Sequence, residues 1–177
     1  MKALARGDAD FAFLTLKGWT GSGKTHLALG ILWDWLERGS AAFYRQVEDM
    51  LEEFKALFNR PPGDSGLSFE GMFRGWENVP LAVLDDLGVE NPTDWAVAKL
   101  DTLVDFRYLR HLPTVFTTNL DLDALPPRVA SRLQDVEVGR VIDLGRVDYR
   151  RRRRASVRGS PQRGKDEDND HDEKGVR

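Results

Sequence analysis

Residues 18–25 read Gly-Trp-Thr-Gly-Ser-Gly-Lys-Thr. Glycines stand at 18, 21 and 23, with a lysine and a hydroxyl residue directly after. A loop that curls backbone N–H groups around an anion needs residues without a Cβ at its tightest points. Gly18, Gly23, Lys24 and Thr25 fill the fixed positions of G-x-x-x-x-G-K-[ST]. Gly21, Ser22 and Gly23 are expected to cradle phosphate. Lys24 supplies a point charge for the outer phosphates, and the Thr25 hydroxyl suits a Mg²⁺ shell.

A second constellation follows at Leu81-Ala82-Val83-Leu84-Asp85-Asp86. An apolar run that ends in paired acids can carry a carboxylate to the phosphate loop. Asp85 is expected on the metal side, and Asp86 where a carboxylate can orient an attacking water. Asn119 ends a third apolar run, Leu112 to Asn119. From spacing alone it reads equally as a group between γ-phosphate and water or as a turn asparagine. Arg128 and Arg132 lie four apart on a short helical stretch, Pro127 to Leu133. Unaided, they read as exposed helix arginines.

These groups need elements to hold them. Phe11 to Leu16 is a near-continuous apolar run, as expected for a parallel strand covered on both faces. Residues 25–38 form a helix whose first turn holds His26 and whose N–H groups point at the same anion. Leu27, Ile31, Leu32, Trp35 and Leu36 fall at helical spacing as its buried face, and Trp33 and Trp35 read as core. Ala41 to Arg45 is a short strand. Val47 to Asn59 is a helix with Val47, Met50, Leu51, Phe54, Leu57 and Phe58 on one stripe. Pro61 to Gly66 is a loop, and Ser68 to Glu77 a short helix broken at Gly75. Thr93 to Arg110 is a helix on which Arg107 and Arg110 read as exposed charges. Val136 to Leu144 and Val147 to Tyr149 read as terminal strand material. Strands alternating with helices predict an α/β fold with a parallel sheet.

Composition narrows the class. The 177 residues contain no cysteine, so disulfides and thiolate metal sites are excluded. The three histidines, His26, His111 and His171, are scattered. No apolar run reaches the roughly 18 residues of a membrane span. Asp8 and Asp10 follow Lys2 and Arg6 where a secretory leader would be apolar. A cytoplasmic protein is expected. Residues 1–149 carry 16 Lys and Arg against 23 Asp and Glu, whereas 150–177 carry 10 against 6. An acidic body argues against strong DNA binding by its whole surface. From Arg150, five consecutive arginines and then an acidic run mark a disordered tail, set apart from one domain at 1–149. The arginines suit either nucleic-acid phosphate or a solvated linker.

The chain resembles AAA+ ATPases of the DnaC/DnaI helicase-loader and IstB transposition-helper group. The resemblance rests on Gly-Ser-Gly-Lys-Thr-His-Leu-Ala (21–28), Leu-Asp-Asp-Leu-Gly (84–88), Asp-Phe-Arg-Tyr (105–108), Pro-Thr-Val-Phe-Thr-Thr-Asn-Leu (113–120), Arg-Val-Ala-Ser-Arg-Leu (128–133) and Arg-Val-Ile-Asp-Leu-Gly-Arg-Val-Asp-Tyr-Arg (140–150). It implies a P-loop NTPase sheet without a lid domain. It implies Asn119 as the sensor-1 residue and Arg132 as an arginine finger acting on a neighbouring subunit, with Arg128 second. It also implies ATP and Mg²⁺, a homo-oligomer, and partners that are single-stranded DNA and a replicative helicase or a transposase. Only residues 1–10 precede the first strand, where members of the group carry a partner-contacting domain. Asp86 stands where many AAA+ proteins have glutamate, which implies slow hydrolysis. Outside this group, a small P-loop kinase or a non-hydrolysing ATP- or DNA-binding fragment fits the loop.

Overall fold

The computed structural model describes residues 10–58, 68–88, 93–146 and 148–149. The expected loop at 61–66, Val147 and the charged tail from Arg150 lie outside the described residues.

Five parallel strands form one sheet: β1 Phe13–Lys17, β2 Ala42–Gln46, β3 Leu81–Asp85, β4 Thr114–Thr118 and β5 Gly139–Asp143. Their order is β2-β3-β4-β1-β5. The three central strands are buried on both faces, which is why β1, β3 and β4 read as unbroken apolar runs. The edge strands β2 and β5 are only partly covered and read more weakly.

Parallel strands need crossovers, and these are helical. α1 (Lys24–Glu37) covers one face through Ala28 and Ile31, against Leu14, Leu16, Leu81, Val83 and Val115. The other face packs α2 (Val47–Phe58), α3 (Phe69–Asn78), α4 (Asp94–Leu109) and α5 (Pro127–Gln134) over Phe13, Leu84 and Phe116. Local chemistry starts these helices. Ser68 Oγ accepts from Gly71 N at 3.1 Å and Thr93 Oγ1 from Ala96 N at 3.3 Å, and Pro127 opens α5.

Four expectations need correction. α3 runs unbroken through Gly75; burial of Phe73 and Trp76 outweighs the roughly 1 kcal/mol cost of a mid-helix glycine. Trp33 is 66% exposed and Leu36 43% exposed, because α1 meets the sheet along only one side. Val136 to Val138 is a turn, and the last strand begins at Gly139; Tyr149 is not in a strand. Arg107 is fully buried, while Arg110 stays exposed as expected.

Candidate nucleotide site

β1 ends at Lys17, and the chain curls through residues 18–23 into α1. Gly18, Gly21 and Gly23 have φ values of 157°, 84° and 91°. The last two lie in the left-handed region that glycine tolerates. A Cβ on Gly21 would run into the Asp148 carboxylate, so the turn is closed from outside by Asp148. That segment is pinned along the loop. Leu144 N donates to Lys17 O (2.8 Å), Trp19 N to Gly145 O (3.2 Å) and Tyr149 N to Gly21 O (3.0 Å). The Arg146 guanidinium lies 4.8 Å from the centre of the Trp19 ring.

The N-terminus of α1 has no side-chain cap and no acid in its first turn. Its positive dipole end is therefore not offset by an acid of the helix itself, which favours an anion there. Among the described residues, the buried Ser22 Oγ has no hydrogen-bond partner. Lys24, 8% exposed, curls back so that Nζ donates to Gly18 O (2.8 Å) and Trp19 O (3.1 Å). His26 is exposed on the first turn.

Thr25 and Asp85, 60 residues apart in sequence, meet here. Thr25 Oγ1 donates at 3.1 Å to both carboxylate oxygens of Asp85. Asp85 is 1% exposed, and its charge is matched by two further donors. Thr117 Oγ1 donates to Oδ1 at 2.6 Å and the Tyr44 hydroxyl to Oδ2 at 2.7 Å. Burial and the neighbouring Asp85 carboxylate both push the Tyr44 hydroxyl pKa well up, so it remains a proton donor. Asp86 takes a left-handed φ of 57°, which aspartate accepts more readily than most residues. Its N–H donates to Thr117 Oγ1 at 2.9 Å, and its side chain faces outward. Leu87 N to Thr117 O (2.7 Å) and Thr118 Oγ1 to Leu87 O (2.6 Å) tie the ends of β3 and β4 together.

Asn119 is exposed on the bend after β4. It follows Thr118, whose carbonyl accepts from Gly18 N at 3.2 Å. Arg132 stands on α5, where Nε donates to Asp105 Oδ1 of α4 at 2.8 Å. Arg128 lines the same shallow recess with Asp105 and Ser131. The sheet thus brings Gly18–Thr25, Asp85 and Asn119 to the C-terminal ends of the central strands β1, β3 and β4, while Arg132 is held by Asp105. Sequence reasoning missed Tyr44, Thr117 and Asp148. The Thr-Thr-Asn strand end carried a signal for Thr117. Nothing local marks Tyr44, because its contact depends on which strands are neighbours.

The donor set fits a phosphate with a hard divalent cation. An uncapped helix end, an unpartnered buried hydroxyl and a lysine suit phosphate oxygens. The Thr25 hydroxyl and the Asp85 carboxylate are oxygen ligands of the type Mg²⁺ accepts.

A family profile described as IstB-like ATP binding protein matches residues 9–142. The replicative helicase loader DnaC of Escherichia coli K12 is 29% identical over 128 residues, 72% of this chain and 51% of that one. The chain spans about half the length of the helicase-loader relatives it matches. A crystal structure of the DnaC helicase loader superposes with a TM-score of 0.67 at 24% identity, covering 80% of this chain and 84% of the other. The replication initiator DnaA bound to AMPPCP and single-stranded DNA superposes at 0.65 with 19% identity, covering 80% and 43%. At these identities the structural matches speak for the fold, an α/β P-loop NTPase sheet. The match over residues 9–142 places the chain in the family of IstB-like ATP-binding proteins, among the DnaC/IstB-like AAA+ ATPases.

Proposed function

We propose that the chain binds ATP with Mg²⁺ at residues 18–26 and hydrolyses it within an assembly of its own copies, as a helicase-loader-like protein of the cytoplasm. The observation that carries this is the Thr25–Asp85 contact beneath an uncapped helix end. Mg²⁺ would supply charge neutralisation to the β- and γ-phosphates. The chain's residues divide the remaining work. Backbone N–H groups of Gly21 and Gly23 and the Ser22 hydroxyl hold phosphate, while Ser22 N stays on Trp19 O (3.1 Å) and Lys24 leaves the carbonyls of Gly18 and Trp19 to meet it. Thr25 and Asp85 hold the metal side. Asp86 and Asn119 orient the water. Arg132 of a neighbouring copy stabilises the charge that develops on the transferred group. Hydrolysis by a single copy is weak, since that copy lacks its neighbour's arginine.

The helicase-loader reading draws on the DnaC relative and on the likeness to a DnaA that holds single-stranded DNA. Phosphate release should rise when single-stranded DNA and a replicative helicase are added, and Lys24→Ala should abolish it. No release under any of these conditions sinks the ATPase reading. The matching profile is that of IstB-like proteins, which favours a transposition helper as the second reading. Capture of a transposase rather than a helicase would select it.

A further inference from the structure

We infer that Tyr44 is a positioning residue for Asp85, and that through it the chain sets how strongly nucleotide binding depends on the divalent cation. The inference rests on the ATP–Mg²⁺ reading above.

The placement follows from the sheet. β2 and β3 pair in parallel with Tyr44 opposite Val83 and Gln46 opposite Asp85. Side chains alternate along a strand, so Tyr44, Val83 and Asp85 share the face that α1 covers. A residue opposite position 83 reaches position 85 only along the diagonal, a span suited to aromatic side chains. The Tyr44 ring packs in the cluster with Leu81, Val83, Ala28 and Ile31. That packing fixes the ring and delivers its hydroxyl to Asp85 Oδ2 at 2.7 Å.

The opposite neighbour completes the grip. Thr117 on β4 holds Oδ1 at 2.6 Å. Each carboxylate oxygen thus has its own side-chain donor from a flanking strand, and Thr25 Oγ1 stands 3.1 Å from both. Two donors on opposite sides fix the plane of the carboxylate, with both oxygens turned to Thr25. Partners that orient a ligand from behind commonly change metal affinity by about 10–100-fold when removed. A purely packing tyrosine would make a different prediction, because its ring would matter and its oxygen would not.

Tyr44→Phe removes only that oxygen and keeps the ring. The measurement is binding of a fluorescent ATP analogue to the full chain, with Mg²⁺ titrated from none to saturation. The half-saturating Mg²⁺ concentration should rise about 10-fold, while affinity in EDTA stays unchanged. A melting temperature within a few degrees of wild type confirms an intact fold. In an Asp85→Ala background, Tyr44→Phe should change nothing further. An unchanged Mg²⁺ requirement overturns the inference, and so does an equal loss of affinity with and without metal. A wild-type chain that binds no nucleotide overturns the underlying reading as well.

Discussion

Arg132 Nε donates to Asp105 Oδ1 at 2.8 Å, and its guanidinium lies 4.3 Å from the centre of the Tyr108 ring. Both partners come from the Asp-Phe-Arg-Tyr segment of α4. The hydrogen bond to Asp105 raises the pKa of Arg132, so the group is charged at every working pH. The pair is about one-third exposed, and such pairs contribute at most about 1 kcal/mol. Arg132 is therefore oriented and can still be taken by a stronger anion at little cost.

If Arg132 serves a neighbour's nucleotide, Arg132→Ala should reduce DNA-stimulated phosphate release on the order of 10³-fold and leave nucleotide affinity unchanged. Asp105→Asn should keep turnover near or above wild type. Mixing Arg132→Ala chains with Lys24→Ala chains should restore part of the activity, since intact halves then meet across an interface. Unchanged turnover in Arg132→Ala would remove the residue from the site.

Gly21 is the tightest point of the loop, with a φ of 84° and Asp148 against its open side. Gly21→Ala adds a left-handed penalty of roughly 1–2 kcal/mol to a steric clash. Nucleotide affinity should fall about tenfold or more. Adding Asp148→Ala should recover the steric share, leaving the backbone share. Equal affinities for the single and double variants would show that the segment after β5 does not shape the loop.

The phosphate loop and the Asp85 strand were legible because each is a local pattern: fixed glycine spacing, and a buried apolar run ending in acids. The central strands were legible for the same reason. What was not legible depends on neighbours in space. Helical spacing put Leu36 on the same buried face as Ile31, and Trp33 read as core, but only the sheet decides which side of α1 is covered. Asp-Phe-Arg-Tyr was visible as a motif and opaque as a device. In the structure Asp105 holds Arg132, Arg107 is buried under α3, and Tyr108 bonds Asp135 and meets the Phe13 ring edge-on. Tyr44 was invisible because its partner sits on another strand, diagonal in register.

Arg107 and Arg110 look alike in sequence and should behave differently. Arg107 is fully buried and donates to five acceptors: Thr114 Oγ1, the carbonyls of Trp76, Glu77 and Val79, and Pro113 O. Three of these close the C-terminal end of α3, where helix carbonyls lack partners. Burial pushes the guanidinium pKa down to about 10, which leaves it charged at neutral pH. Arg107→Met strands buried acceptors and should cost about 3 kcal/mol or more, lowering the melting temperature by roughly 10 °C. Arg110→Ala, which loses an exposed contact with Phe106, should shift it little. Similar melting for the two variants would contradict the clamp.

Asp85→Asn separates the metal role of this carboxylate from its structural one. Three hydroxyls surround Asp85, and a hydroxyl can turn from donor to acceptor. An amide of the same shape can therefore be accommodated, except that Thr117 Oγ1 already accepts from Asp86 N. The expected loss of stability is modest, about 1–2 kcal/mol by the usual worth of one such bond. The charge has no substitute. Asp85→Asn should fold, bind a fluorescent ATP analogue equally with and without Mg²⁺, and release no phosphate. If Mg²⁺ still tightens nucleotide binding in this variant, the metal side of the site lies elsewhere and the pairing of Thr25 with Asp85 is structural only.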